Sequence, residues 1–142
     1  MRNKHGVPRS RIDFLKSVPI LEGLPDKALA KLDSHLDEVA VQPGHQITTA
    51  GQNAYETFIV ADGTAEVRVD GEVVGETTVG DMVGEIGVLQ HTKRTATVTA
   101  TTPMRLLVVS SREVDWLLND PTLAERVRDN LQRHLQGPQP KG

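Results

Sequence analysis

Hydrophobic positions divide the chain into three stretches with different periods. From Ile12 to about Val39 they fall at helical spacing: Phe14, Leu15 and Val18 precede a break at Pro19, and Leu29, Leu32 and Leu36 recur at three and four after Pro25. Pro25 suits a first helical turn, where its missing N–H leaves no bond unmade. From about Glu38 to Ser110 the period becomes two. Val39 and Val41, Phe58 and Val60, Ala65, Val67 and Val69, then Ala96, Val98 and Ala100 alternate with mostly polar neighbours. Glycines at 44, 51, 63, 71, 80 and 84 punctuate these runs, and Asp70-Gly71 between two of them predicts a two-residue hairpin. The pattern predicts a compact antiparallel β-barrel or jelly roll of about eight short strands. After Ser110 the helical period returns with Val114, Leu117 and Leu118. Asp120-Pro121 then reads as an N-cap and a first-turn proline, Leu123, Val127, Leu131 and Leu135 repeat at fours, and Gly137-Pro138 ends the helix near Gln136. The fold class is mainly β with flanking helices.

Length and composition narrow this reading. At 142 residues the chain supports one domain with a real core. Only four residues are Phe, Tyr or Trp, so that core is aliphatic and the stacking platforms of single-strand nucleic-acid binders are missing. The net charge of −3 has the wrong sign for a phosphate-backbone binder, so no direct nucleic-acid binding is expected. The absence of cysteine removes disulfides and thiolate chemistry. No apolar run approaches membrane-spanning length, the longest being Leu106 to Val109, and no apolar segment follows the basic N-terminus as in a secretory signal. A cytoplasmic protein is expected. Residues 1–11, with Arg2, Lys4, Arg9 and Arg11 beside Gly6 and Pro8, read as a flexible basic tail. Residues 12–136 form the domain, and 137–142 a second flexible tail.

The candidate chemistry is that of binding. His5, His35, His45, His91 and His134 are scattered, without a His pair or a carboxylate at metal-ligand spacing, and no serine has a nucleophile-elbow context. No metal, cofactor or enzymatic activity is expected. The segment from Gly80 to Val98 is different, because it interrupts the strands with a short helical turn, Ile86 to Gln90, opening after Gly84. Such a turn aims free N–H groups at one spot, and glycine lets a ligand approach the backbone. Arg94, placed at the start of the next strand, can clamp a phosphate with two parallel bonds. Glu85 can accept from a ribose 2′-hydroxyl. Taken singly, Glu85 also suits a helix N-terminus, Arg94 a surface ion pair and Gly84 a turn. Together they describe a nucleotide whose phosphate lies near its own ribose.

These residues resemble the cyclic nucleotide-binding domains of Crp-like regulators, protein kinase A regulatory subunits and cyclic nucleotide-gated channels. The resemblance runs from about Phe14 to Leu135. It includes Phe14 to Leu21, Pro43-Gly44, Gly51, Phe58-Ile59 with Gly63, Gly80-Asp81, and the phosphate-binding cassette Gly84-Glu85-Ile86 to Arg94-Thr95-Ala96. It implies a ligand, cAMP ahead of cGMP, with Glu85 on the ribose and Arg94 on the cyclic phosphate. It also implies amide donors near Gly87, Val88 and Ala96, Val67 and Val83 against sugar and base, and Thr95 facing phosphate or purine. Lys93 stands where many members have proline. Many members continue into an effector domain; only seven residues follow Leu135 here, so the expectation is a stand-alone sensor or a piece of a longer protein, partnered by an effector protein or domain of unidentified kind. The final helix, with Leu131, Arg133, His134 and Leu135, is expected to close over the nucleotide as a lid. The alternative is a fold that has lost the ligand and acts in structure or protein interaction.

Overall fold

The computed structural model describes residues 11–84 and 93–135, with Leu131, His134 and Leu135 placed by their backbone alone. The chain opens with α1 (Arg11–Lys16), a 3-10 turn η1 (Pro19–Leu21) and α2 (Asp26–Asp33). Among the described residues eight strands follow: β1 (Asp37–Val41), β2 (Gln46–Thr48), β3 (Glu56–Asp62), β4 (Ala65–Val69), β5 (Glu72–Thr77), β6 (Met82–Val83), β7 (Thr97–Ala100) and β8 (Met104–Ser110). Two helices, α3 (Ser111–Asn119) and α4 (Pro121–Leu135), close the described chain.

The strands form two antiparallel four-stranded sheets, ordered β1-β8-β3-β6 and β2-β7-β4-β5. This is the jelly-roll form of the expected architecture, two facing sheets instead of one closed cylinder. The first sheet is apolar on both faces. Val60, Val83, Met104 and Leu106 meet Ala96 and the second sheet's Ile47, Ala65, Val67, Val98 and Ala100 in an inner core. Their neighbours Ile59, Leu107 and Val109 turn the other way and pack beneath the helices, against Leu21, Leu32, Leu117 and Val127 among others. The uninterrupted run Leu106-Leu107-Val108-Val109 is explained by this double burial, since a strand covered on both sides needs apolar residues at odd and even positions. A fully buried Leu or Ile side chain contributes about 1.5–3 kcal/mol, so both cores are substantial.

Local signals act where they stand. Asp70 and Gly71 have φ of 52° and 82°, and Val69 pairs with Glu72 across them, so the two residues form the tight turn that matches strand twist. Asp120 Oδ1 accepts the N–H groups of Thr122 and Leu123 at 3.0 and 3.2 Å, capping α4 ahead of Pro121. Boundaries shift slightly. Arg11, assigned to the tail, begins α1, its Nε donating to Asp33 Oδ1 at 2.5 Å, and residues 1–10 and 136–142 lie outside the described residues. Pro25 sits just before α2 instead of inside it. Val39, expected inside from its alternation, is 38% exposed because β1 is an edge strand whose residues remain largely uncovered.

Candidate functional site

The site is built around Arg94. Strand β6 pairs with β3 over only two residues, Val83 with Phe58 and Met82 with Ile59, and Gly84 then leaves the sheet with φ of +86°. The chain is next described at Lys93. Arg94 is locked to the β2–β3 loop by its backbone: its N–H donates to Gln52 O at 2.8 Å, and its carbonyl accepts from the Gly51 N–H at 3.0 Å. Its side chain turns inward and is 7% exposed. Nη1 donates to the Gly84 carbonyl at 3.1 Å and Nη2 to the Glu56 carbonyl at 2.5 Å. The guanidinium thus joins the start of β3 to the end of β6, and these bonds fix the plane of a group suited to bidentate anion recognition.

Gly84 is required here for a reason the sequence did not display. A Cβ at this position would lie 2.1 Å from Arg94 Nη1, and the positive φ already disfavours any side chain. The arginine side chain takes the room that a Cβ would need. Sequence separation conceals that contact.

Val67, Val83 and Ala96 are 1%, 0% and 1% exposed, all within the inner core. Thr95 is exposed between Arg94 and Ala96. Arg94 and Ala96 precede β7, which begins at Thr97, so the arginine lies in the loop leading to the strand and not at its start. Lys93 bridges to Asn53 in backbone pairing, and its Nζ donates to Asn53 Oδ1 at 3.3 Å. Glu85, Ile86, Gly87, Val88 and the expected turn from Ile86 to Gln90 lie outside the described residues.

Of the expected lid residues, Arg133 has a described side chain. Helix α4 packs on η1 and α3, with Leu123, Ala124 and Val127 buried. Arg133 Nη1 donates to Glu22 Oε1 at 3.4 Å, and Nη2 donates to Asn130 Oδ1. Asn130, 2% exposed, donates from Nδ2 to the carbonyls of Ile20 and Glu22, both at 2.9 Å. Sequence reasoning passed over Asn130, although it stands three residues after Val127 on the apolar face, where a polar residue signals a buried partner. The side chains of Leu131, His134 and Leu135 lie outside the description.

Away from Arg94, a small apolar cavity of about 30 Å³ lies between the helices and the first sheet, lined by Ile59, Val109, Leu117, Val127 and Thr57 among others. The Thr57 hydroxyl is buried with no hydrogen-bond partner among the described residues. Among the described residues no cluster of His, Asp and Glu could hold a metal ion, and no helix is long and apolar enough to cross a membrane.

Residues 38–120 match the family model described as cyclic nucleotide-binding domain. The chain is 36% identical over 126 residues to a cAMP-dependent protein kinase regulatory subunit of Yarrowia lipolytica, covering 80% of this chain and 34% of that protein. It spans about a third of the length of that relative. Among solved structures, it resembles a cAMP-bound fragment of PfPKA-R, with a TM-score of 0.78 and 26% identity over 88% of this chain and 42% of the other. It also resembles the regulatory subunit of a cAMP-independent protein kinase A from Trypanosoma cruzi, bound to guanosine, with a TM-score of 0.77 and 32% identity over 89% and 45%.

Proposed function

The chain belongs to the cyclic nucleotide-binding domain family, and from that premise we propose that it is a non-catalytic sensor module for a cyclic purine mononucleotide, cAMP ahead of cGMP. The observation that carries this reading is the buried Arg94 guanidinium, held in one plane by two carbonyls beside the Val67, Val83 and Ala96 lining. In this reading Arg94 takes the cyclic phosphate, Glu85 accepts from the ribose 2′-hydroxyl, and the amides of Gly87, Val88 and Ala96 add donors. Val67 and Val83 pack against sugar and base, and Thr95 faces the phosphate or purine. Ligand occupancy is passed to an effector, and a kinase catalytic chain is the partner that the regulatory-subunit relatives favour.

The final helix enters this reading as the responding element. To reach the nucleotide, α4 must first release the two bonds from Asn130 to the Ile20 and Glu22 carbonyls. A ligand drives such a release only through contacts that it makes better in the released state. Gain of hydrogen-exchange protection along residues 121–135 on adding cAMP supports a lid; identical exchange with and without ligand removes it.

A nucleoside without phosphate is the second reading, favoured by the guanosine-bound relative. Isothermal titration with cAMP, cGMP and guanosine separates the two. At about 0.3 kcal/mol per non-hydrogen atom, a ligand of roughly twenty such atoms gains about 6 kcal/mol and binds at tens of micromolar. Saturable cAMP binding in that range, with guanosine at least ten-fold weaker, is the expected result. Tighter guanosine binding overturns the phosphate assignment, and no binding of any of the three favours a structural or interaction role.

A further inference from the structure

We propose that Thr48 is a positioning residue for the anion-binding stretch, fixing the Ala96 peptide through its buried hydroxyl. The inference rests on the cyclic-phosphate reading of Arg94. Strand β2 is irregular. Gln46 pairs with Thr99 and Thr48 with Val98, so two steps on β2 oppose one on β7. Consecutive residues of a regular strand face opposite sides, yet Ile47 and Thr48 are both buried, at 9% and 4% exposure. The bulge re-aims Thr48 toward the interior. There its Oγ1 donates to the Ala96 carbonyl at 3.1 Å.

That bond completes a clamp. Ala50 N–H donates to Thr97 Oγ1 at 3.0 Å, and the Gly51 and Gln52 backbone holds both polar groups of Arg94. The stretch Arg94-Thr95-Ala96 is therefore pinned at both ends by residues 48–52. The backbone ties at the Arg94 end survive any side-chain change. At the other end the ties are made by two threonine hydroxyls, and the Ala96 tie depends on Thr48. Ala96 is 1% exposed, so water cannot replace a donor lost there. A Thr48→Val variant keeps the shape and leaves a buried carbonyl unsatisfied, which frees the Ala96–Thr97 peptide to turn and, through the Cα that it shares with the preceding peptide, displaces the Ala96 N–H.

The test compares wild type, Thr48→Val and Thr48→Ser. Thr48→Val is expected to weaken cAMP about ten-fold, and Thr48→Ser to remain within about three-fold of wild type. The readout that a merely structural role would not move is stereochemical. In the two phosphorothioate diastereomers of cAMP, sulfur replaces one or the other exocyclic oxygen, so a displaced Ala96 N–H changes the ratio of their affinities, whereas general destabilisation lowers both together. In the ligand-free protein, amide exchange at Thr97 is expected to quicken in Thr48→Val and not in Thr48→Ser, while Arg94, tied by backbone alone, keeps its rate in both. The proposal is overturned if Thr48→Val binds cAMP like wild type, if Thr48→Ser fails equally, or if the diastereomer ratio stays fixed. Wild type that binds no cyclic nucleotide overturns the underlying ligand reading instead, a result distinct from normal binding by wild type and Thr48→Val alike.

Discussion

Beneath the helices, leucines, isoleucines and valines from five helical elements and the first sheet meet with a cavity and an unpartnered hydroxyl left between them. Around Arg94, the backbone is tied by hydrogen bonds from three segments, and the buried arginine fills the room left by a missing Cβ. The helical side is bound by area, which tolerates imperfect fit. The Arg94 side depends on direction, because hydrogen bonds weaken steeply when misaligned. The two regions should therefore respond differently to substitution: the first in stability, the second in ligand affinity.

The largest expected effect tests the directional region. Arg94→Ala should cost about 2–5 kcal/mol of cAMP affinity, as for one side of a desolvated charge pair, and more affinity than stability. Titration and urea unfolding on the same preparation check this, and a stability loss exceeding the affinity loss would assign the arginine to scaffolding. Next is Asn130→Asp, nearly isosteric but without the amide donors. The carbonyls of Ile20 and Glu22 both lose their donor and face a carboxylate, so unfolding free energy should fall by about 2–3 kcal/mol while cAMP affinity stays within a few-fold. A ten-fold loss of affinity would break the comparison, whereas a gain would mean that α4, once released, meets the ligand as the lid reading requires.

A smaller effect has the opposite sign. Thr57→Val should stabilise the protein by about 1 kcal/mol, since it replaces an unpartnered buried hydroxyl with a methyl in an apolar cavity. Unchanged or lower stability in chemical unfolding would mean that the hydroxyl finds a partner. The smallest effect belongs to Lys93→Ala, expected to weaken cAMP less than about five-fold because an exposed cation is screened. If its loss equalled that of Arg94→Ala, the phosphate would lie nearer Lys93 than the buried guanidinium.

The elements were legible where local chemistry decides them. Asp70-Gly71 declared its turn, Asp120 its cap, and the change of period from helical to two marked the passage from helix to strand. Non-local contacts left weaker signals. Val39 alternates like its neighbours, and only its place at a sheet edge exposes it. Gly84 and Arg94 could be singled out, but not their contact, which joins residues ten apart across a turn of the chain. Thr48 looked like an ordinary strand residue because a bulge belongs to the pairing of two strands and not to either alone. Asn130 was hidden by a search for apolar positions, which counts leucines and ignores the polar residue on the same face.

The antiparallel pairing of β1 with β8 bears on how the chain acquires its form during synthesis. Val39 pairs with Leu106, and Phe58 with Val108, so the central wall of the molecule joins residues made far apart in time. At about 5–20 residues per second, β1 waits several seconds for its partner to be translated, and the nascent chain holds α1, α2 and the β4–β5 hairpin before it has a sheet on which to rest them. Such long-range pairing places folding toward the slow, millisecond-to-second end for small domains. The ribosome thus presents an incomplete wall, and the helices settle only after the last strand has emerged.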